Sequence, residues 1–377
     1  GIEKFGLISF AQAFIQYFII ITDYGFNLSA TREISIHRDD KEKINEIFSS
    51  VMIIKLSLMI LSFIFMSIIV FSFNKFRQDW LLYYLTFGMV FGNVLFPVWF
   101  FQGIEQMKWI TYLNILTKAI FTVAIFVFIK NQDSYYLVPL LNSMGYIIAG
   151  VLSLFLIINH FRVEFKLLTL NKVKYYLNDA WYVFISRILV NIYTSTNIIL
   201  LGFFYNNLAV GYYSVFEKIV IAAGAIFDIT NQIIYPYLAN NYRRSFKRFI
   251  QLLKKIFGIY LVLAFLICFV LEFFRIEILN LIIREYSFDI SSLLGVFLIR
   301  ILFFPFGPLL SNSLIIMEKN AEFIKAIGYT VICNFILVLP SIYFYGLKGL
   351  VYSFIFLLLI HILLLISYLR VSIKGLK

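Results

Sequence analysis

Runs of about twenty apolar residues, the length a helix needs to cross the hydrocarbon core of a bilayer, recur eleven times along this 377-residue chain. They fall near 5–30, 47–72, 80–102, 111–129, 136–158, 180–205, 210–237, 256–273, 288–314, 323–344 and 349–369. Composition agrees: 62% of residues are hydrophobic and 14% charged, where soluble domains average about 45–50% and about 25%, and mean hydropathy is +0.91. A water-soluble globule of this size has too little interior to hide that much apolar surface. The connections are short, the longest lying around 159–179 and 238–255, so none folds into a soluble domain. Soluble enzymes, nucleic-acid binders and secreted disulfide scaffolds are excluded, and Cys268 and Cys333, both within apolar runs, read as packing residues.

The net charge of +12 orients the chain. When the loops alternate sides, 20 Lys and Arg residues fall on one side and 7 on the other, with Lys55, Lys118, Arg187, Lys218 and Arg300 inside spans. The richer side is cytoplasmic by the positive-inside rule.

An internal repeat appears at an offset of 205: Gly6, Ser9, Ile21 and Asp23 match Gly211, Ser214, Ile226 and Asp228, and Gln12 aligns with Glu217. Pro97 and Pro305 recur in corresponding later spans, slightly out of that register. The helix at 180–205 then has its counterpart before residue 1, which predicts twelve spans in two six-helix halves, eleven of them in this chain. Halves with an even number of spans run parallel, a transporter architecture built around a central cavity. The expected fold is an all-α polytopic membrane protein with an N-lobe over 1–158, a cytoplasmic linker over 159–179 and a C-lobe over 180–377.

A charge at the bilayer centre costs about 2.5–3.5 kcal/mol on insertion scales, so each intramembrane charge needs a partner, water or a function. Gln12, Gln16, Asp23 and Asn27 fall within about 60° of one another on the first helix. The seventh repeats the pattern with Glu217, Gly224, Asp228 and Asn231. A shared water-filled cavity explains both stripes; polar glue between packed helices is the competing explanation. The helix at 180–205 adds Arg187, Asn191, Thr194 and Ser195 on one face. Lys55 and Lys118 lack so clear a stripe and are expected to snorkel to the headgroups. Arg300 lies about 18 Å into its span at 1.5 Å per residue, either paired with a carboxylate such as Glu217 or Asp228, or facing water, where its fork of donors suits phosphate oxygens. The expectation drawn is the water-facing one, with carboxylate pairing open as another stage of one cycle. Lys218 sits on a face adjacent to Glu217. Pro97, Pro305 and Pro308, with Gly88, Gly92 and Gly307, interrupt two repeat-related spans as kinks, portals or hinges.

His37, His160 and His361 are scattered, and there is no HExxH, Walker loop, GxSxG or large external loop. The chain is therefore not expected to be an enzyme, and a membrane polysaccharide polymerase is the weakest of the functions weighed.

The run Asp23 to Ile34 (DYGFNLSATREI) and the run Phe96 to Met107 (FPVWFFQGIEQM) resemble the Wzx-type O-antigen and polysaccharide flippases of the multidrug/oligosaccharidyl-lipid/polysaccharide exporter superfamily. The resemblance extends over the chain in helix order and loop lengths. It implies two six-helix lobes, alternating access, and an undecaprenyl-pyrophosphate-linked oligosaccharide carried from the cytoplasmic to the outer leaflet of the bacterial inner membrane. The expected partners are this cargo, membrane lipid, and a polysaccharide polymerase with its chain-length machinery; no cofactor is expected beyond a coupling proton or sodium. Arg300, Arg187, Asn191, Lys218, Gln12 and Gln16 are then the candidate substrate-binding residues, and Asp23, Glu217 and Asp228 the candidate ion-coupling carboxylates. A drug/cation antiporter of the same superfamily is the alternative, for which a carboxylate-rich, arginine-poor cavity is expected.

Overall fold

The computed structural model describes residues 1–166, 170–283 and 285–374, and these contain no β-strand. The spans are α1 (Ile2–Ile36), α2 (Lys41–Ser72), α3 (Trp80–Gly103), α4 (Met107–Phe128) and α5 (Ser134–Asn159). After α6 (Leu170–Phe204) come α7 (Asn207–Arg244), α8 (Phe246–Phe273) and α9 (Phe288–Ile316), followed by a 54-residue helical segment, Asn320–Ile373.

Among the described residues nine helices are long and apolar enough to cross a membrane, or ten with the two parts of α6 taken together. The last segment contains two crossings. Unbroken, it would reach about 80 Å, far beyond a core of about 30 Å. It breaks at Gly346, whose φ of 56° and ψ of −132° lie outside the helical region and are strained for any residue with a Cβ. The chain turns back there: a Cβ on Gly349 would lie 1.9 Å from the Ser341 carbonyl oxygen. Thr330 Oγ1 lies 2.8 Å from His361 Nδ1, sixteen residues before the turn and fifteen after it. The arms are α10 (320–345) and α11 (347–373), an antiparallel hairpin; with α6 counted as one span, the described residues hold eleven helical segments at the places of the eleven apolar runs.

Prolines and positive φ values set the other breaks. The α1 span divides after Asp23, where Tyr24 and Gly25 take φ of 43° and 79°. The α3 span divides at Phe96–Pro97, and α9 divides around Ile299 and again before Pro305, whose ring nitrogen has no hydrogen to donate. Gly92 bends nothing; it serves close packing in a stripe of small residues between α3 and α5, where a Cβ would lie 2.4 Å from the Tyr146 carbonyl carbon. Helices also run past the apolar segments into the headgroup region. Asp40 begins α2 by accepting from the Lys43 amide at 3.0 Å, six residues ahead of the apolar run.

The residues divide into two compact units, one of Gly1 and Glu3–Asn191, the other of Ile2 and Ile192 onward. The core of the first is built on Phe26, Phe48, Trp99, Phe100 and Phe101. That of the second is built on Phe227, Phe249, Phe306, Leu314 and Leu365. Of the stretch read as a linker, 167–169 lie outside the described residues, and from Leu170 the chain is helical. Residues 170–191 belong with the first unit for identifiable reasons. The Tyr24 ring stacks on Phe184 at 4.5 Å between centroids, Arg32 Nη2 donates to Asp179 Oδ1 at 2.7 Å, and Tyr176 Oη donates to Glu46 Oε1 at 3.2 Å. Gly25 permits the approach, since a Cβ there would lie 2.9 Å from both the Phe184 amide nitrogen and Val183 Cβ.

Candidate functional site

Each unit holds one cluster of intramembrane charge. In the first, Asp23 ends the long part of α1 immediately before the Tyr24–Gly25 break, so its carboxylate stands where the backbone leaves the helix. Lys55 Nζ from α2 reaches Asp23 Oδ1 at 3.0 Å, with 1% of the lysine side chain and 10% of the aspartate side chain exposed. Asn27, one turn on, donates to Oδ2. Arg187 of α6 places Nη1 4.0 Å from Oδ2 and keeps 41% of its side chain exposed. One carboxylate is thus shared by two cations, a buried lysine that neutralises it and an accessible arginine held at longer range.

In the second unit, Arg300 Nη1 from α9 donates to Glu217 Oε1 of α7 at 2.6 Å, their side chains 11% and 14% exposed. Tyr213, one turn before Glu217, donates its hydroxyl to the same oxygen at 2.7 Å. The guanidinium lies 4.8 Å from the Phe297 ring centroid and 4.6 Å from that of Phe354. The pair therefore gains cation–π attraction in a poorly hydrated setting, where such contacts are strongest. A one-residue interruption of α9 at Ile299, whose backbone stays in the right-handed helical region, falls just before Arg300.

Two expectations are corrected by this geometry. Lys55 does not snorkel; it lies on the buried stripe of α2 with Phe48, Val51 and Met52, and a neighbouring carboxylate compensates its desolvation. Arg300 is paired with Glu217 rather than open to water, the alternative its depth also allowed. The stripe on α7 is likewise turned largely into helix contacts. Gly224 packs so closely that a Cβ would lie 2.5 Å from the Phe304 ring, and buried Asn231 accepts from Tyr260 Oη at 3.2 Å, leaving Asp228 as the exposed member.

The remaining candidates lie apart from these pairs. Gln12 and Gln16 are half-buried on α1, Gln16 about 10 Å of helix rise from Asp23. Asn191 donates Nδ2 to the Arg187 carbonyl at 3.1 Å, which ties it to the backbone beside the first cluster. Lys218 is exposed next to Glu217. The side chain of Thr194 lies outside the described residues. Among the described residues no three His, Cys, Asp or Glu side chains gather in a way that could hold a metal. Lys55, Tyr213, Phe297 and Phe354 were absent from the sequence-based set. The signal for Lys55 was present, since it follows Phe48 by seven residues and Val51 by four, the spacing of a buried helix face.

Known proteins place the chain. Residues 1–242 match the family profile described as polysaccharide biosynthesis protein. A protein of Escherichia coli (strain K12) named "Putative O-antigen transporter" is 28% identical over 255 residues, 68% of this chain and 61% of that protein. The chain thus spans less than two thirds of that relative's length. One of the same name from Shigella dysenteriae is 25% identical over 363 residues, 94% of this chain and 89% of its own. Among solved structures, the lipid II flippase MurJ in an inward closed conformation aligns with a TM-score of 0.77 at 15% identity, covering 99% of this chain and 85% of that one. An inward-facing multidrug resistance MATE family transporter of the MOP superfamily aligns at 0.76 and 14% identity, covering 99% and 90%. At such identities the two structures establish a common fold. With that fold and the match over residues 1–242, this multi-pass membrane protein belongs to the polysaccharide biosynthesis protein family.

Proposed function

We propose that the chain is a flippase that moves an undecaprenyl-pyrophosphate-linked oligosaccharide, an O-antigen or capsule repeat unit, from the cytoplasmic to the outer leaflet by alternating access. The observation that carries this reading is an arginine in each unit, Arg187 and Arg300, within reach of a carboxylate inside the membrane-spanning region. In a chain with O-antigen transporter relatives, such groups suit an anionic headgroup. The lipid tail stays in the bilayer, while the sugars and pyrophosphate need hydrogen-bonding and cationic groups along their path. Arg187 is the more accessible cation and takes the phosphate first. Arg300 exchanges Glu217 for a cargo oxygen at another stage, with Asn191, Lys218, Gln12 and Gln16 contributing hydrogen bonds. Export of an anion from a negative interior is downhill by about 2.3 kcal/mol per charge per 100 mV, so the membrane potential assists without ATP. Asp23, Glu217 and Asp228 are the carboxylates available to a coupling proton or sodium, and the bacterial inner membrane is the site of action.

Deleting the gene in a host that makes the polysaccharide tests this. Expected is accumulation of lipid-linked repeat units with sugars on the cytoplasmic side, shown by their resistance to a membrane-impermeant oxidant in intact spheroplasts. Correctly oriented units with unchanged surface polysaccharide overturn the reading. Raised sensitivity to cationic drugs instead supports the antiporter alternative suggested by the MATE-like fold. Against that alternative, Asp23 and Glu217 are both already engaged by cations.

A further inference from the structure

The basic residues on the cytoplasmic side are treated differently in the two units. In the first, most of them are paired with a carboxylate. Arg32 pairs with Asp179 at 2.7 Å, Arg38 with Glu105 at 2.9 Å, Lys43 with Glu46 at 2.6 Å and Lys166 with Glu42 at 2.8 Å. In the second, Arg243 and Arg244 end α7 and Lys247, Arg248, Lys254 and Lys255 occupy the first turns of α8; all six are exposed. No acidic residue occurs between Asp228 and Glu272. Among the described residues no carboxylate pairs with any of the six.

The four on α8 share one face, a stripe about 120° wide, as two rows: at about 100° per residue, Lys247 and Lys254 lie about 20° apart, as do Arg248 and Lys255, and each row is about 10 Å long. The face behind it is fixed, because Phe249 and Leu253 are buried in the core of the second unit. The stripe cannot rotate toward an internal partner. Membrane orientation requires an excess of Lys and Arg; it does not require acids to be missing. Nor does it call for Lys247 and Arg248 in the opening turn of a 28-residue helix with no acidic residue there, where cations oppose the helix dipole. A local cost with no compensating carboxylate among the described residues points to a partner outside the chain.

We propose that this stripe is a binding surface for the phosphate groups of anionic phospholipids in the cytoplasmic leaflet. Basic clusters immediately cytoplasmic of a span attract such lipids, and the attraction decays within a Debye length. Two rows of cations with two more at the end of α7 extend beyond one pyrophosphate, as a surface facing several headgroups does. The inference is independent of the cargo assigned above.

The test uses the full chain purified in detergent, with phosphatidylglycerol or phosphatidylcholine titrated in and bound lipids counted by native mass spectrometry. The variant R243Q/R244Q/K247Q/R248Q/K254Q/K255Q is expected to lose at least tenfold in phosphatidylglycerol affinity and to bind phosphatidylcholine as before. The milder K254E/K255E gives an intermediate loss, which keeps the test valid if the sixfold variant folds poorly. R38Q/K41Q/K43Q/K166Q, which removes four cations from the first unit, leaves both lipids unaffected. Undiminished phosphatidylglycerol binding in the α8 variants overturns the proposal. So does an equal loss in the first-unit control, or displacement of the lipid by equimolar inorganic pyrophosphate, which marks a small-phosphate site instead.

Discussion

The ammonium group of Lys55 lies 3.0 Å from the carboxylate of Asp23, and both side chains are almost wholly withdrawn from the surface. Breaking a buried pair by removing one partner typically costs about 3–5 kcal/mol, because the other charge is left uncompensated. The two halves of this pair are unequal. Without Lys55, Asp23 retains Arg187 at 4.0 Å and the Asn27 amide, whereas without Asp23 the lysine loses its only ion pair among the described residues. Asp23→Asn is therefore expected to destabilise more than Lys55→Met, by about 1–2 kcal/mol within the range for buried pairs. The double variant should recover most of the loss. Thermal unfolding of the purified variants in detergent checks this, and equal single-variant losses count against it.

Arg300 is held by charge and by shape together, with Glu217 at 2.6 Å and two phenyl rings centred 4.8 and 4.6 Å from its guanidinium carbon. Arg300→Lys keeps the charge and forfeits the planar guanidinium and its fork of donors. Under the proposed function, transport by that variant should fall about tenfold or more while its insertion stays normal, since about 1.4 kcal/mol is a factor of ten and each cation–π contact is worth about 0.5–2 kcal/mol. Phe354→Leu should show a smaller loss in the same direction. Initial translocation rates in vesicles carrying labelled lipid-linked sugar provide the readout, and full activity of Arg300→Lys would remove shape from the account.

Gly346 turns the last hairpin with φ of 56°, and a Cβ there would meet the Tyr205 ring at 2.7 Å. Gly346→Ala combines a sparsely populated backbone with a clash, and a loss of about 1–3 kcal/mol is expected. Adding Tyr205→Ala relieves the clash alone, so recovery should be partial. Complete recovery in melting experiments would place the whole cost in the side-chain contact.

Thr330 and His361 meet at 2.8 Å across the two arms of that hairpin, both buried. Thr330→Val should cost about 1 kcal/mol, in keeping with hydrogen bonds between membrane helices. Combining it with His361→Phe should cost less than the sum of the single variants, because residues in direct contact are coupled. Strict additivity would show that the contact contributes nothing.

The spans were legible because bilayer thickness sets a length that hydropathy reports directly, and the turn at Gly346 falls in the gap read between 344 and 349. The two charge clusters were legible only in part. Asp23, Arg187, Glu217 and Arg300 stood out as costly residues in apolar runs, but the partner of each depends on which helices touch. Lys55 is 32 residues from Asp23 on a different helix, and nothing in a single sequence aligns the two. The repeat offset carries Asp23 to Asp228 but Lys55 to Tyr260, which instead donates to Thr230 and Asn231. Where the first unit has a lysine beside its aspartate, the second has a neutral tyrosine, and Asp228 is exposed.

The tight reversal at Gly346 also constrains how the chain is made. With so little backbone between them, the two final crossings have no freedom to enter the lipid one after the other from opposite sides. They are expected to leave the translocation machinery as a pair, with the Thr330–His361 contact available to zip them together. A reporter or epitope spliced between Tyr345 and Lys348 would therefore disturb biogenesis itself, and topology mapping of this end belongs on the residues that flank the hairpin.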